Sequence, residues 1–147
     1  MKNFTLALIA HDAKKEDMVQ LVKAHKEALT EADLIATRST GQLVMARTKL
    51  PVTLMQSGPL GGDQQIGAMV ANDDIGAVIF LCDPLTTHPH EPDVSALLRV
   101  CDVHGVPLAT NIATAEAILH LMAKHPEALH GHNLAAEYLD EIAAIHN

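Results

Sequence analysis

The sequence predicts an α/β fold: one domain over residues 1–147, with a doubly wound, mainly parallel sheet of about five strands and helices on both faces. Two observations predict it. Short, continuous apolar runs alternate along the chain with segments of helical periodicity, which is typical of strands buried on both faces. No internal repeat, linker or low-complexity tract interrupts that alternation. We therefore expect flavodoxin-like layering, with the sheet as the middle layer.

The apolar runs predict the strands, and the amphipathic stretches predict the helices. In chain order, the strands are predicted at 4–10, 34–37, 52–56, 77–82 and 107–110. The helices are predicted at 14–29, 40–48, 63–71, 92–104 and 114–124, with one more over 133–145. In the first helix Met18, Leu21 and Val22 share one stripe, and Pro92 suits the first turn of the fourth helix. The run Ala-Val-Ile-Phe-Leu-Cys at 77–82 is the clearest central strand.

Composition argues against several classes of protein. Apolar residues make up 48% and aromatic residues 2%, so the core is aliphatic and side chains that stack on bases are scarce. A formal charge of −8 also argues against a nucleic-acid partner. No apolar run approaches the ~20 residues of a membrane span, and the N-terminus lacks the pattern of a signal peptide. Cys82 and Cys101 lie in apolar contexts, so we expect reduced core thiols and a cytoplasmic location.

Unusual polar residues follow every predicted strand. They are His11-Asp12, Thr37 to Thr40, Ser57-Gly58, Asp83 with His90, and Thr110-Asn111. Right-handed crossovers bring the carboxyl ends of parallel strands to one edge of the sheet, where open α/β sheets bind ligands. The sequence therefore predicts a binding site at that edge.

The most informative segment is residues 57–65, Ser-Gly-Pro-Leu-Gly-Gly-Asp-Gln-Gln, between a predicted strand and a predicted helix. Glycines at such a turn let the backbone approach a ligand and direct its N–H groups toward an anion. Asp63 would repel a phosphate, so a carboxylate here indicates a base that removes a proton beside one. This segment predicts an enzyme.

Residues 37–41, Thr-Arg-Ser-Thr-Gly, place hydroxyl groups at a predicted helix start, where backbone N–H groups and the helix dipole attract phosphate. In the alternative interpretation, Ser39 or Thr40 only caps the helix. Ser57 and Gly58, which follow the next strand along the chain, favour the phosphate site.

Three candidates lie near the end of the first strand. His11 suits donation to a carbonyl or phosphate oxygen. Asp12 either fixes the tautomer of His11 or caps the following helix. Lys15 either supplies a counter-charge for phosphate or is a solvated helical lysine.

The loop from Asp83 to Asp93 carries three prolines, which suit it to hold catalytic groups rigidly. His88 and His90, with these two carboxylates, are also a candidate metal site. Because prolines lie on either side of His90, we expect an extended segment whose two histidines point to opposite faces. His90 facing the pocket alone is therefore favoured over a shared metal.

Common cofactor and nucleophile motifs are absent from the sequence. No G-x-G-x-x-G follows the first strand, there is no G-x-x-x-x-G-K-[ST] loop, and Ser57 does not lie in a G-x-S-x-G elbow. We therefore expect neither an organic cofactor nor a metal.

Together these motifs resemble the methylglyoxal synthase family over almost the whole chain. The resemblance rests on His11-Asp12-x-x-Lys15, the nonapeptide 57–65, Asp83-Pro84-Leu85, His90-x-Pro92-Asp93 and Ala109-Thr110-Asn111. It implies conversion of dihydroxyacetone phosphate to methylglyoxal and inorganic phosphate by a cytoplasmic homohexamer. It also implies that no metal or organic cofactor takes part, and that phosphate is an allosteric inhibitor.

The resemblance also implies a role for each site residue. Asp63 is implied as the base that forms an enediolate, and His90 as the group that polarises the carbonyl and moves protons among its oxygens. The implied substrate contacts, mainly to phosphate, are His11, Lys15, Thr37, Ser39, Thr40, Ser57 and Gly58. The implied supporting carboxylates are Asp12, Asp83 and Asp93.

Two departures from the family pattern concern the phosphate loop and the C-terminus. The loop of the family reads T-G-T-T-G, but Arg38 here replaces the first glycine and adds charge and bulk. Many members carry an arginine near the C-terminus that reaches a neighbouring subunit's site, whereas no Lys or Arg follows Lys124. We hypothesise that Arg38 partly replaces that charge and so contacts the substrate.

Two other functions stand as alternatives. The same domain resembles the effector-binding end of carbamoyl phosphate synthetase, a regulatory module that would need neither Asp63 nor His90. A metal hydrolase that used His88 and His90 would lose its activity to chelators. The presence of both Asp63 and His90 favours catalysis on dihydroxyacetone phosphate.

Overall fold

A sheet of five parallel strands forms the middle layer of the fold. The computed structural model describes residues 3–129 and 143–145. The strands are β1 (Thr5–Ala10), β2 (Asp33–Ala36), β3 (Thr53–Leu54), β4 (Ala77–Leu81) and β5 (Leu108–Ala109). All pairs are parallel, and the strand order is β3-β2-β1-β4-β5. The predicted α/β class and parallel sheet are confirmed.

Helices connect the strands and cover the sheet. They are α1 (Lys15–Ala24), α2 (Lys26–Leu29), α3 (Arg38–Thr48), α4 (Gly62–Ala71), α5 (Glu91–Val103) and α6 (Ile112–Lys124). Short 3-10 turns lie at Asp12–Lys14, Gly58–Leu60 and Pro126–Leu129. No helix in the residues described has the length and apolar character needed to cross a bilayer. The predicted helix over 133–145 lies outside the described residues except at its last three positions.

The predicted helix over 14–29 is interrupted at His25. Helix α1 ends one residue before it and α2 begins one residue after it. The imidazole Nε2 of His25 lies 2.6 Å from Glu116 Oε2 on α6. That contact joins elements far apart in sequence, so helical periodicity alone does not predict the break.

Side chains alternate between two aliphatic cores, one on each face of the sheet. On β1, Leu6 and Leu8 face one core, while Ala7 and Ile9 face the other. The first core is completed by α1, α3 and α6, and the second by α4 and α5. Each large aliphatic side chain that is fully buried contributes about 1.5–3 kcal/mol. Helices therefore cover both faces, as a doubly wound fold requires.

The strand order leaves a crevice at the carboxyl ends of β1 and β4. From β1 the chain winds through β2 to β3 on one side, then crosses to β4 and β5 on the other. Ala10, the last residue of β1, pairs with Leu81, the last residue of β4. His11 and Asp83 follow just beyond these ends, where the winding direction changes and open α/β sheets bind ligands.

Close packing of backbones fixes the start of α4. A Cβ atom added to Gly62 would overlap the carbonyl oxygen of Gln56 and lie 3.0 Å from the carbonyl carbon of Ser57. The N–H of Gly62 also donates to the carbonyl oxygen of Ser57 over 2.9 Å. Because these neighbours are backbone atoms, only glycine allows α4 to begin so close to the segment after β3.

We expect Gly62→Ala to lower the free energy of unfolding by about 1–3 kcal/mol, because the added methyl group is overpacked against backbone. Gly67→Ala in the same helix is the matched control, since its Cβ would meet Leu97 Cδ1 at an ordinary 3.8 Å. That variant gains about 0.5–1 kcal/mol from alanine in a helix. Urea denaturation of both variants measures the difference, and equal effects would contradict this account of Gly62.

Candidate active site

Four side chains leave buried polar atoms without a hydrogen-bond partner, and these four lie together. Within the described residues, the atoms are His11 Nε2, both carboxylate oxygens of Asp63, His88 Nε2 and His90 Nδ1. The ring centroids of His88 and His90 are 5.6 Å apart, and His90 Nε2 lies 3.9 Å from Asp63 Oδ2. Each buried polar group without a partner costs about 1–3 kcal/mol. Their convergence therefore indicates a site for a polar ligand.

Asp63 lies in the first turn of α4, with its side chain 1% exposed. The turn Gly58–Leu60 leads into this helix through Gly61, whose φ of 104° favours glycine. A Cβ atom added to Gly58 would lie 3.4 Å from Asp63 Oδ1 and 3.4 Å from His90 Nε2. The bare backbone of Gly58 therefore leaves space between the carboxylate and the imidazole.

Burial sets the acidity of Asp63. It raises the pKa of this carboxyl above its usual 3.8, His90 opposes the shift, and the negative charge of Asp93 adds to it. A carboxylate with a raised pKa binds a proton more strongly than one in water, which suits it to accept a proton from carbon. Asp63 thus has the environment of a general base.

A backbone group fixes the tautomer of His11. This histidine is buried, and the N–H of Asp83 donates to its Nδ1 over 2.8 Å. Because Nδ1 accepts, the proton of the neutral ring lies on Nε2. Burial lowers the pKa of His11, and His88 and His90 lower it further. His11 is therefore a neutral donor with a free Nε2–H, and Asp83, rather than Asp12, orients it.

His88 faces the same cluster as His90, so the prediction that they point to opposite faces is wrong. Its ring stacks on that of His11, with centroids 3.7 Å apart and planes 24° apart. The segment is a turn rather than extended, because the N–H of Glu91 donates to the carbonyl oxygen of His88 over 3.1 Å. From the sequence, His88 was a candidate only as a metal ligand. Pro89 favours turns, so it was the feature of the sequence that could have indicated the turn seen here.

The hydroxyl groups at the start of α3 have different partners. Thr37 is the residue that precedes the helix, and its side chain makes no capping hydrogen bond. It donates to Thr40 Oγ1 over 3.4 Å, and Thr40 Oγ1 contacts the backbone nitrogen and oxygen of Ala10 at 3.3 and 3.4 Å. Thr40 thus ties α3 to β1, and Ser39 is exposed. The first-turn N–H groups of α3 have no acceptor within the helix and suit an anion.

The start of α3 lies beside the Ser57-Gly58 turn. The N–H of Arg38 donates to the carbonyl oxygen of Gln56 over 3.4 Å. Ser57 and Gly58 are half-buried, whereas Arg38 and Ser39 are exposed. The fold therefore brings together the predicted phosphate-binding residues that follow two adjacent strands.

Asp12 and Lys15 pair with each other at the start of α1. Lys15 Nζ donates to the Asp12 carboxylate, and this contact lowers the pKa of Asp12. The side chain of Asp12 is 98% exposed and that of Lys15 is 18% exposed. The Asp12 carboxylate therefore lies outside the buried cluster.

Asp83 and Asp93 accept hydrogen bonds around the cluster. Bonds from Thr86 and from the N–H of Leu85, the latter over 3.1 Å, lower the pKa of Asp83. Asp93 Oδ1 accepts from Gln64 Nε2 over 2.9 Å, which joins the first turns of α5 and α4. Both carboxylates thus hold the loop and helices that carry the cluster.

The buried polar atoms, rather than the size of a cavity, locate the site. An open cavity of about 1090 Å³ lies at the amino ends of the strands, among Phe4, His25 and Val106, and contains none of the cluster residues. Across residues 3–129 and 143–145, no group of three or more His, Cys, Asp or Glu side chains is arranged to hold a metal ion.

The cluster combines a buried base, a neutral imidazole at His11, two further imidazoles and the amino end of a helix. A base beside preset donors can remove a proton from a carbon next to a carbonyl group and stabilise the negative charge that forms on oxygen. The helix end can hold an anion such as a phosphate group. The site therefore suits proton abstraction from a small phosphorylated carbonyl compound.

Known proteins of similar sequence and of similar structure carry one name. Residues 17–110 match the family model described as MGS-like domain. The chain is 63% identical over 114 residues to methylglyoxal synthase of Lysinibacillus sphaericus, covering 78% of this chain and 85% of that protein. It is 57% identical over 121 residues to that of Moorella thermoacetica, covering 82% and 94%. The crystal structure of methylglyoxal synthase from Elizabethkingia anophelis NUHP1 has a TM-score of 0.77 and 45% identity, covering 83% of this chain and 81% of that chain.

We expect Asp63→Asn to stabilise the protein at pH 8, because it removes a buried charge that has no hydrogen-bond partner among the residues described. The gain is about 1–3 kcal/mol, or a few degrees in Tm. Since the folded-state pKa of Asp63 is raised, the gain shrinks as the pH falls through that pKa and the carboxyl becomes protonated.

Thermal unfolding at several pH values checks this, with Asp102→Asn, which changes an exposed carboxylate on α5, as the control. A loss of stability in Asp63→Asn at pH 8 would mean that the carboxylate has a stabilising partner.

Proposed function

The chain belongs to the methylglyoxal synthase family of enzymes, and on that premise we propose that it converts dihydroxyacetone phosphate to methylglyoxal and inorganic phosphate, with Asp63 as the base. One observation carries the choice of base. Asp63 is buried 3.9 Å from the imidazole of His90, and neither carboxylate oxygen has a hydrogen-bond partner in the part of the chain that the structure describes. A carboxylate in such a place destabilises the fold, and a catalytic role explains why it is there.

In the first step Asp63 removes a proton from the carbon that carries the hydroxyl group. The electron pair of the broken C–H bond forms the C=C bond of an enediolate phosphate, and negative charge moves onto the former carbonyl oxygen. The raised pKa of Asp63 supports this step, because a stronger base makes the proton transfer less unfavourable.

His11 and His90 stabilise the charge that develops on oxygen. Neutral His11 offers its Nε2–H, because Asp83 occupies Nδ1. His90 lies beside Asp63, so it suits both polarisation of the carbonyl and movement of a proton between the enediolate oxygens. Donors that are already oriented in a buried site stabilise such charge more than water does.

In the second step the enediolate expels phosphate. The hydroxyl group on the carbon that lost its proton passes its own proton to the former carbonyl oxygen and becomes a carbonyl group. The C=C bond moves to the carbon that carries phosphate, and the C–O bond to phosphate breaks with its electron pair on the phosphate oxygen. The bond from carbon to the phosphate oxygen breaks only when it stands perpendicular to the enediolate plane, aligned with the π system. The N–H groups of Ser39 and Thr40 in the first turn of α3, with the Thr37 hydroxyl and the Ser57-Gly58 turn, are the donors that hold the phosphate in this orientation. The resulting enol takes up a proton on carbon and becomes methylglyoxal.

Other predicted site residues act on these groups rather than on the reacting carbons. Asp12 holds Lys15, whose charge attracts the phosphate. Asp83 orients His11 through its backbone N–H. Asp93 lies near enough to raise the pKa of the catalytic carboxyl. This division of roles is consistent with the exposure of the Asp12 side chain.

The family resemblance also supports a proposed assembly and regulation. We propose a cytoplasmic homohexamer that inorganic phosphate inhibits allosterically. Donors shaped for the phosphate group of the substrate also suit free phosphate, which is the product of the reaction. Arg38, at the first position of α3, supplies local positive charge in a chain whose formal charge is −8.

We expect purified protein to release phosphate from dihydroxyacetone phosphate and to form methylglyoxal, which a carbonyl trap detects. Asp63→Asn should reduce turnover by a factor of ~10² or more, because the amide cannot accept the proton. EDTA should leave the rate unchanged.

The control variant is Asp102→Asn, which should keep the wild-type rate. Full activity of folded Asp63→Asn would rule out this residue as the base, and loss of activity with EDTA would favour the metal hydrolase. If the wild type binds phosphate but forms no methylglyoxal, the regulatory module becomes the better interpretation.

We expect Arg38→Gly to raise the KM for dihydroxyacetone phosphate and to weaken phosphate inhibition by about fivefold, as for an exposed charge pair worth up to ~1 kcal/mol. Arg38→Lys keeps the charge and should stay close to wild type. Steady-state kinetics at low salt checks both variants. Unchanged or tighter binding in Arg38→Gly would show that Arg38 does not contribute to binding of the phosphate group.

A further inference from the structure

His88 has no role in the mechanism above, although it lies inside the cluster. Its Nε2 is buried and has no hydrogen-bond partner among the described residues. The ring stacks on His11 at 3.7 Å and lies 5.6 Å from the ring of His90, measured between centroids.

Packing alone does not explain a histidine at this position. An apolar ring would cover His11 equally well and would leave no buried nitrogen without a partner, which is unfavourable. Nε2 of His88 and Nε2 of His11 are in the same state: both are buried, and within the described part of the chain both lack a hydrogen-bond partner. Two adjacent rings that each keep a buried nitrogen unpaired indicate one ligand that satisfies both.

The topology indicates which end of the ligand His88 meets. His88 and His90 belong to the loop between β4 and α5, on one side of β1. Thr37 and Ser57 follow β2 and β3, on the other side of β1. If Thr37 and Ser57 hold the phosphate group, His88 lies with His90 at the end of the substrate where the proton is removed.

We propose that His88 is a further substrate-binding residue: its Nε2–H donates to the oxygen that gains negative charge in the enediolate, beside the Nε2–H of His11. This inference rests on the proposed function, because it needs a substrate in which charge develops on oxygen. Two parallel imidazole donors then act as an oxyanion site, a role that is distinct from the proton transfers assigned to Asp63 and His90.

The test compares His88→Phe, which keeps a flat ring on His11 but removes the nitrogen, with His88→Gln, which keeps a donor. In His88→Phe, kcat/KM for phosphate release should fall about tenfold or more, as for one lost hydrogen bond to a charged group. Binding of inorganic phosphate, measured by calorimetry, should stay close to wild type, and Tm should not fall, because the apolar ring leaves no buried nitrogen without a partner. His88→Gln should recover part of the rate.

The matched control is His120→Phe, because the side chain of His120 is 69% exposed on α6. Wild-type kcat/KM in His88→Phe, or an equal loss in both His88 variants, would overturn the inference. Weaker phosphate binding in His88→Phe that accounts for the whole loss would also overturn it, because His88 would then act at the phosphate end. Failure of the wild type to use dihydroxyacetone phosphate overturns the proposed function itself, so the two failures are distinguishable.

Discussion

The site depends on one constraint, which is that a carboxylate is held out of water without a hydrogen-bond donor. Asp63 is 1% exposed, and neither of its oxygens has a hydrogen-bond partner among residues 3–129 and 143–145. Burial of an unpaired charge is unfavourable, so the rest of the fold must supply the stability. The two aliphatic cores do so from both faces of the sheet. The same unfavourable burial of charge raises the pKa of Asp63, which means that the carboxyl group binds a proton more strongly.

The groups around Asp63 allow it to act as a base while the imidazoles nearby act as hydrogen-bond donors. A cationic imidazole in contact with Asp63 would lower the pKa of the carboxyl and weaken it as a base. At His11, the N–H of Asp83 occupies Nδ1 and favours the neutral ring. His90 stays 3.9 Å from the carboxylate, beyond hydrogen-bond distance. One carboxylate and the imidazoles near it can therefore hold different roles in one small space.

The sequence predicted the helices and strands and the edge of the sheet at which the candidate residues lie, because both depend on local pattern. Apolar runs identify buried strands, parallel strands share one binding edge, and the segment 57–65 marks Asp63 in the sequence itself. What could not be predicted depends on contacts between distant residues. The bond from Asp83 to His11 spans 72 positions, and His25 meets Glu116 across 91. The orientation of His88 was missed because an extended loop was assumed where the chain makes a turn.

The central claim is that burial disfavours the ionised form of Asp63, so that this carboxyl group holds a proton more tightly than an ordinary aspartate does. NMR titration of the ¹³C-labelled carboxyl groups of the free protein measures this directly, with Asp63→Asn to assign the resonance. We predict a pKa for Asp63 above the ordinary 3.8. A pKa at or below that value would mean that the carboxylate is stabilised by partners or by water, and the account of the base would be contradicted.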